Sequence, residues 1–349
     1  MRTQKVLLLA LMACGALGLP AEAQSSLPIA LFERYVESLR QQVGIPGMSG
    51  IIVQEGQVVW DRGFGYQDIE ASIAARADTP YPILDLTQTL SSTVLLRRCL
   101  DQHYLEVADR VVRWNPNYPE SSTTIAQLLS HASPGGGFKY DSTRFGALSE
   151  VLDQCASRAY APALAEQLFD RLGMSSSIPG TALLDTSSPD RRWFTSSTLD
   201  RYEAVARQRA VSYKIDSRGR PTRSDVSSDP MTAGGGVIST VRDLARFDTA
   251  LGQGALLAPG TLSLAWENAG AMPTGLGWFV QRYNGERVVW HFGLKRDANS
   301  ALIVKLPGRG LTLILLANSD GLVGPPYNLA DGSVTSNLFA SLFLRLFLG

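Results

Sequence analysis

The residues of this 349-residue chain able to do covalent chemistry are sparse, and their spacings exclude more reactions than they admit. The lysines are Lys5, Lys139, Lys214, Lys295 and Lys305, and the residues three before them are Arg2, Gly136, Val211, Phe292 and Leu302. No Ser-x-x-Lys or Thr-x-x-Lys therefore pairs a hydroxyl nucleophile with an amine base one helical turn away. Gly47-Met48-Ser49-Gly50-Ile51 lacks the last glycine of a nucleophile elbow. Cys14, Cys99 and Cys155 form no Cys-x-x-Cys, and His103, His131 and His291 are scattered, so no metal-ligand spacing exists and no cofactor is expected.

What remains is a set of polar residues with structural readings. In Tyr81 to Cys99 (YPILDLTQTLSSTVLLRRC), Asp85 and Gln88 have the spacing of a capping box, the carboxylate accepting from an orphan amide and the side-chain amide reaching back. Leu86, Leu90 and Val94 follow at helical spacing, with Arg97 and Arg98 in the last turn, where they complement the helix dipole. A carboxylate at such a helix start is expected to be stabilised as the anion, hence a weak base. Tyr140 reads as a half-buried ring before a helix capped by Asp141 or Ser142.

The elements that must position these groups fall into a pattern. Pro28 to Val43 reads as an amphipathic helix stopped at Ile45-Pro46-Gly47, and Met48 to Val53 and Val58 to Tyr66 as a hairpin around Glu55-Gly56-Gln57. Helical spacing occupies Thr124 to His131, Phe145 to Ser157 and Ala161 to Leu172. Thr186 to Asp229 is rich in Ser, Asp and Arg and reads as a solvated excursion. Thr240 caps a helix through Leu251. Strand patterns return at Gly277 to Tyr283, Glu286 to His291, Ser300 to Lys305 and Leu311 to Ala317, before an apolar helix over Val334 to Leu348. That helix is too short and too polar at Ser336, Asn337 and Arg345 to span a membrane. The fold expected is α+β: one mostly antiparallel sheet from both chain ends (about 24–80 and 270–349) flanked by the terminal helices, with a helical lobe (about 81–269) inserted.

Composition places the chain. Its hydrophobic content of 45% supports a large core, and a net charge of zero supplies no field for nucleic acid or anionic membranes. Arg2 and Lys5, the apolar run Val6 to Leu19, and Ala21-Glu22-Ala23 before Gln24 form an export signal over 1–23, which predicts a periplasmic or secreted protein beginning at Gln24. Cys14 offers lipidation as the alternative, against which Met12 fits poorly. In an oxidising compartment Cys99 and Cys155 either pair or remain buried thiols.

Six stretches in order, Ile45-Pro46-Gly47, Ile125 to Ser133, Gly234 to Phe247, Gly275 to Trp278, His291-Phe292-Gly293 and Leu315 to Gly321, resemble the serine beta-lactamase and penicillin-binding-protein-like hydrolases, particularly the class C and esterase branch. They cover nearly all of the chain after the signal. The resemblance implies acyl transfer to a serine in Ser-x-x-Lys, a proton-relaying Tyr-x-Asn and a Lys/His-x-Gly strand beside the oxyanion site. It places Asp85 at the serine position and Gln88 at the lysine position. It maps Tyr140 and Ser142 onto the tyrosine element, and His291 and Gly293 onto the substrate-edging strand. Pro134 stands where the family has glycine, and Leu294-Lys295-Arg296-Asp297 replace small residues.

The resemblance therefore implies an exported pseudo-hydrolase that binds a small-molecule or peptidoglycan-like ligand or a partner. The alternatives are a divergent hydrolase with Asp85 as nucleophile or base, and an envelope scaffold acting through its outer surface. Oligomeric state is not legible in the sequence.

Overall fold

A computed structural model describes residues 21–349 except Ser228 and Ala271. The charged and apolar parts of the expected export signal, and Cys14, lie outside the described residues.

Helix α1 (Ala21–Gln42) ends where Ile45-Pro46 begins an extended path into β1 (Gly47–Gln54), and a two-residue turn with Gly56 at φ +77° folds it back into β2 (Gln57–Asp68). Short strands β3 (Ile73–Ala74) and β4 (Tyr81–Pro82) follow. The helical region holds α2 (Thr87–Leu95), α3 (Ile125–Leu129), α4 (Ser142–Gly146), α5 (Leu148–Ala156), α6 (Tyr160–Leu164) and α7 (Ser196–Arg207). A hairpin of β5 (Tyr213–Ile215) and β6 (Pro221–Arg223), strand β7 (Ile238–Ser239), α8 (Val241–Gly252) and α9 (Pro259–Ala265) complete it. The chain then runs β8 (Phe279–Tyr283), β9 (Glu286–Lys295), β10 (Asn299–Leu306), β11 (Leu311–Ala317) and α10 (Leu338–Leu348).

The main sheet has the order β3-β2-β1-β11-β10-β9-β8, every pair antiparallel. The two chain ends meet at β1 against β11, where Ile51 faces Ile314. Both faces of this sheet are buried, which is why β11 reads as the unbroken run LTLILLA and not as an alternation. Leu313 and Leu315 face the layer of Phe32, Val36, Phe339 and Phe343 from α1 and α10, while Ile314 and Leu316 face the helical region through Leu244, Phe247 and Leu251 of α8. Thr240 caps α8 by accepting from the Asp243 amide, and Asn337 caps α10 likewise at Ala340.

Two expectations change and one open question is answered. The Arg-rich excursion over Thr186 to Asp229 is not simply solvated loop: α7 buries Tyr202 against Leu183 and Leu199, and β5–β6 forms its own hairpin. The question left open for the cysteines is answered by a disulfide between Cys99 and Cys155. The capping box proposed for Asp85 and Gln88 does not form. Asp85 lies in a short 3-10 turn, Leu84–Leu86, and α2 starts at Thr87 with no side-chain cap. Both side chains point to partners distant in sequence, because tertiary contacts outcompeted the local motif.

Candidate active site

The turn that carries Asp85 is held by its neighbours more than by its own sequence. Leu84 adopts φ +57°, a left-handed conformation that costs a non-glycine residue about 1–2 kcal/mol. Gly293 of β9 packs so closely that a Cβ there would lie 2.3 Å from the Ile83 carbonyl oxygen, so only glycine lets the strand reach this turn. The result is a strained corner pressed onto a strand edge, the sort of backbone that persists where the surroundings over-determine it.

Asp85 Oδ2 accepts from the Leu294 amide at 3.4 Å, and its carboxylate also accepts from its own amide and from Ser142. The carboxyl is half-buried and pushed up to about 6, chiefly by burial, with the nearby Asp229 carboxylate adding to the rise and the hydrogen bonds opposing it. This reverses the expectation of a depressed, weakly basic carboxylate: desolvation outweighs the amides that greet it.

Behind Asp85 runs a chain of fixed polarity. The Asp141 amide donates to His131 Nδ1 at 3.2 Å, so the proton of this neutral ring sits on Nε2, which donates to Gln88 Oε1 at 2.9 Å. Gln88 Nε2 then points to the Tyr140 hydroxyl at 3.4 Å. Tyr140 accepts from this chain, which leaves its own proton free to point away from Gln88. Burial holds His131 down to about 3, and the His291 and Arg144 positive charges lower it further. Burial and the Asp85 charge hold the Tyr140 phenol well above its usual range, so at neutral pH it is an acid and not a base.

The residues singled out in the sequence are thus brought together unequally. Asp85 and Ser142 line an open cleft of about 530 Å³ with Gly234, Gly235, Leu294, Lys295, Glu150 and Asp229. Gln88 is fully buried; its side chain bonds to His131 and Tyr140, and neither it nor Tyr140 is among the residues lining the cleft. His291 is 1% exposed, its ring 6.3 Å from that of Tyr140 and 5.6 Å from that of Phe279, and burial holds it down to about 4. It supports the site from beneath and is not among the residues lining the cleft. Gly293 serves the close approach just described. Asp141, not Ser142, caps α4, accepting from the Arg144 amide at 3.0 Å.

A family model for beta-lactamase matches residues 32–330. The chain belongs to the beta-lactamase family. Among curated proteins it is 22% identical over 199 residues to a D-aminopeptidase of Brucella anthropi, across 46% of this chain and 38% of that protein, well under two thirds of the relative's length. In solved structures, the D-amino acid amidase of Ochrobactrum anthropi SV3 complexed with D-phenylalanine superposes with a TM-score of 0.70 at 18% identity, covering 90% of this chain and 98% of that one. The D-alanine carboxypeptidase AmpC of Burkholderia cenocepacia gives 0.69 at 18% identity, over 91% and 99%. These superpositions show the beta-lactamase/transpeptidase-like fold expected from the sequence.

For a beta-lactamase-family chain the unexpected participants are His131 and Asp229. His131 was legible only as part of Ser130-His131-Ala132-Ser133, and nothing local said that its ring would hold a side chain 43 residues away. Asp229 gave no signal at all. It forms an ion pair with Lys295 at 2.5 Å in the cleft wall. Lys295 belongs to the segment that replaces the family's small residues, so this substitution recharges the cleft wall without closing it. Among the described residues no cluster of His, Cys, Asp and Glu suits a metal ion, and no helix is long and apolar enough to cross a membrane.

Proposed function

We propose that this chain is an exported, catalytically silent member of its family whose cleft binds a small-molecule or peptidoglycan-like ligand. The observation that carries the reading is the placement of the Asp85 carboxylate on the Leu294 and Asp85 amides. Two backbone donors at a strand edge and a helix start are what acyl transfer uses to receive a developing oxyanion. Here a resident anion already takes them. The neutral Gln88 supplies no base, and Tyr140, held protonated by burial and the Asp85 charge, supplies none either.

The disulfide Cys99–Cys155 supports an oxidising compartment and thereby export. The names of the relatives, a D-aminopeptidase, a D-amino acid amidase and a D-alanine carboxypeptidase, support a ligand of the D-amino-acid class. An open cleft favours ligand binding over a scaffold that acts through its outer surface.

One observation favours the divergent-hydrolase alternative: a carboxyl near pKa 6 is better tuned as a base at neutral pH than an ordinary aspartate. Exposure to a beta-lactam and to a fluorophosphonate, followed by intact-protein mass spectrometry, decides. Unmodified protein is expected from both reagents, and a covalent adduct on the folded chain would overturn the silent reading.

A further inference from the structure

The Lys295–Asp229 pair is a wall with a cavity on each side. One side is the Asp85 cleft. The other is a smaller cavity of about 50 Å³ behind the Leu84 turn, lined by Arg209, Ser212 and Asn299 together with Gly236, Val237 and Ile238. A volume of that size, at about 10–15 Å³ per water, takes several waters or one small polar group.

Arg209 is the unusual member. It follows the C-terminal end of α7, is half-buried, and its guanidinium makes no side-chain hydrogen bond or ion pair among the described residues. A guanidinium in that position is ordinarily paired, since burying a charge without a partner is costly. Desolvation accordingly lowers its pKa with no opposing charge to restore it. Its setting is rigid: the Ala210 amide donates to the Pro80 carbonyl, the Val211 amide to Gln67, and Ser212 Oγ donates to Asn299 Oδ1 at 2.5 Å.

We propose that the Arg209 cavity is a carboxylate subsite, receiving the carboxylate of the small molecule that the neighbouring cleft binds. The planar fork of Arg209 matches a carboxylate bidentately. Lys295, paired with Asp229, lines the same cavity and adds positive charge beside Arg209, while the Ser212 hydroxyl, whose proton goes to Asn299, is not counted as a donor. Asp229, on the shared wall, disfavours a dianion such as phosphate, and the small volume favours a single planar group. The assignment rests on reading the cleft as a ligand site, and it gives that ligand a polarity: its carboxylate beyond Lys295, its remainder toward Asp85 and Ser142.

The test uses acetate as the probe, titrated into the full chain at constant ionic strength with chloride as the balance, and followed by the arginine Nε–H resonances in a nitrogen-15 correlation spectrum. One resonance, absent from Arg209→Gln, should shift saturably with acetate, and acetate-dependent thermal stabilisation should fall at least tenfold in affinity in that variant. Arg209→Lys, which keeps the charge but not the fork, should bind more weakly than the parent, and it serves if Arg209→Gln does not fold. Two results would overturn the assignment: equal acetate response in the parent and in whichever variant folds, or saturable binding of inorganic phosphate without acetate. A fluorophosphonate adduct would sink the silent-cleft reading alone, and failed acetate binding would sink the subsite alone.

Discussion

Asp85 lines the cleft from the short turn Leu84–Leu86. Its carboxyl, raised to about 6 in the folded chain against about 3.9 unfolded, binds a proton in the native state over a pH range where the unfolded chain does not. Stability contributed through this group therefore increases as pH falls from about 6 to about 4 and is lost as pH rises through 6. Asp85→Asn keeps an acceptor for the Leu294 amide and removes the titration. It should melt higher than the parent at pH 7.5 and show no advantage at pH 4, in paired thermal scans that cancel the contribution of Asp153, which is also raised to about 6. An advantage independent of pH would show that Asp85 is not the titrating group. Restoring Asp85→Ser with Gln88→Lys should not create an efficient beta-lactamase or esterase. A lysine ammonium cannot accept the proton that His131 Nε2 now donates to Gln88, and a neutral lysine amine that accepted it would have its lone pair occupied and be no free base, since that ring cannot switch tautomer while its Nδ1 receives the Asp141 amide. Turnover of a chromogenic cephalosporin and of p-nitrophenyl butyrate should stay at least a hundredfold below that of ordinary family members, the scale of loss from an ångström of misplacement. Rates within tenfold of them would show that only two residues had been lost.

Among the elements, the α2 segment is held at both ends by different means. At its start, β9 presses Gly293 onto the Leu84 turn; at its end, the π-helical turn Leu96–Leu100 carries Cys99, bonded to Cys155 of α5. The bridge closes a loop across a sequence separation of 56 residues. Chain-entropy reasoning gives such a crosslink about 2–4 kcal/mol of stabilisation. The double variant Cys99→Ser with Cys155→Ser should therefore unfold at lower denaturant concentration by that amount, and added reductant should bring the parent toward it. If reductant leaves the parent's transition unmoved under conditions that reduce the bond, the disulfide is not stabilising.

For the molecule as a whole, the sheet and the helical region are joined by apolar packing and, among the described residues, by a buried ion pair of Lys305 in β10 with Asp248 in α8, beside the Trp266 ring. Removing one partner strands the other charge in the core. Lys305→Met should cost about 3–5 kcal/mol, and adding Asp248→Leu should recover most of it, since a buried pair and an apolar pair of similar volume are often nearly equivalent. Chemical denaturation of the two singles and the double measures this directly. A double variant no better than either single would mean that the pair holds the two layers together by more than mutual neutralisation.

The sequence by itself determined the sheet from both chain ends, the hairpin at Gly56, the Thr240 cap, the terminal helix and the family, because each is written in short-range periodicity, turn chemistry or ordered motifs. It also determined that no Ser-x-x-Lys exists. Tertiary structure decided what those residues do. Asp85 and Gln88 carry the spacing of a cap, but the amide of Leu294 and the ring of His131 offered them partners that no window of sequence contains. The pairing of Cys99 with Cys155 and the bridge from Lys295 to Asp229 were decided in the same way. Periodicity reports which face of an element is buried; the polarity, protonation and partners of a buried group depend on what the rest of the chain packs against that face.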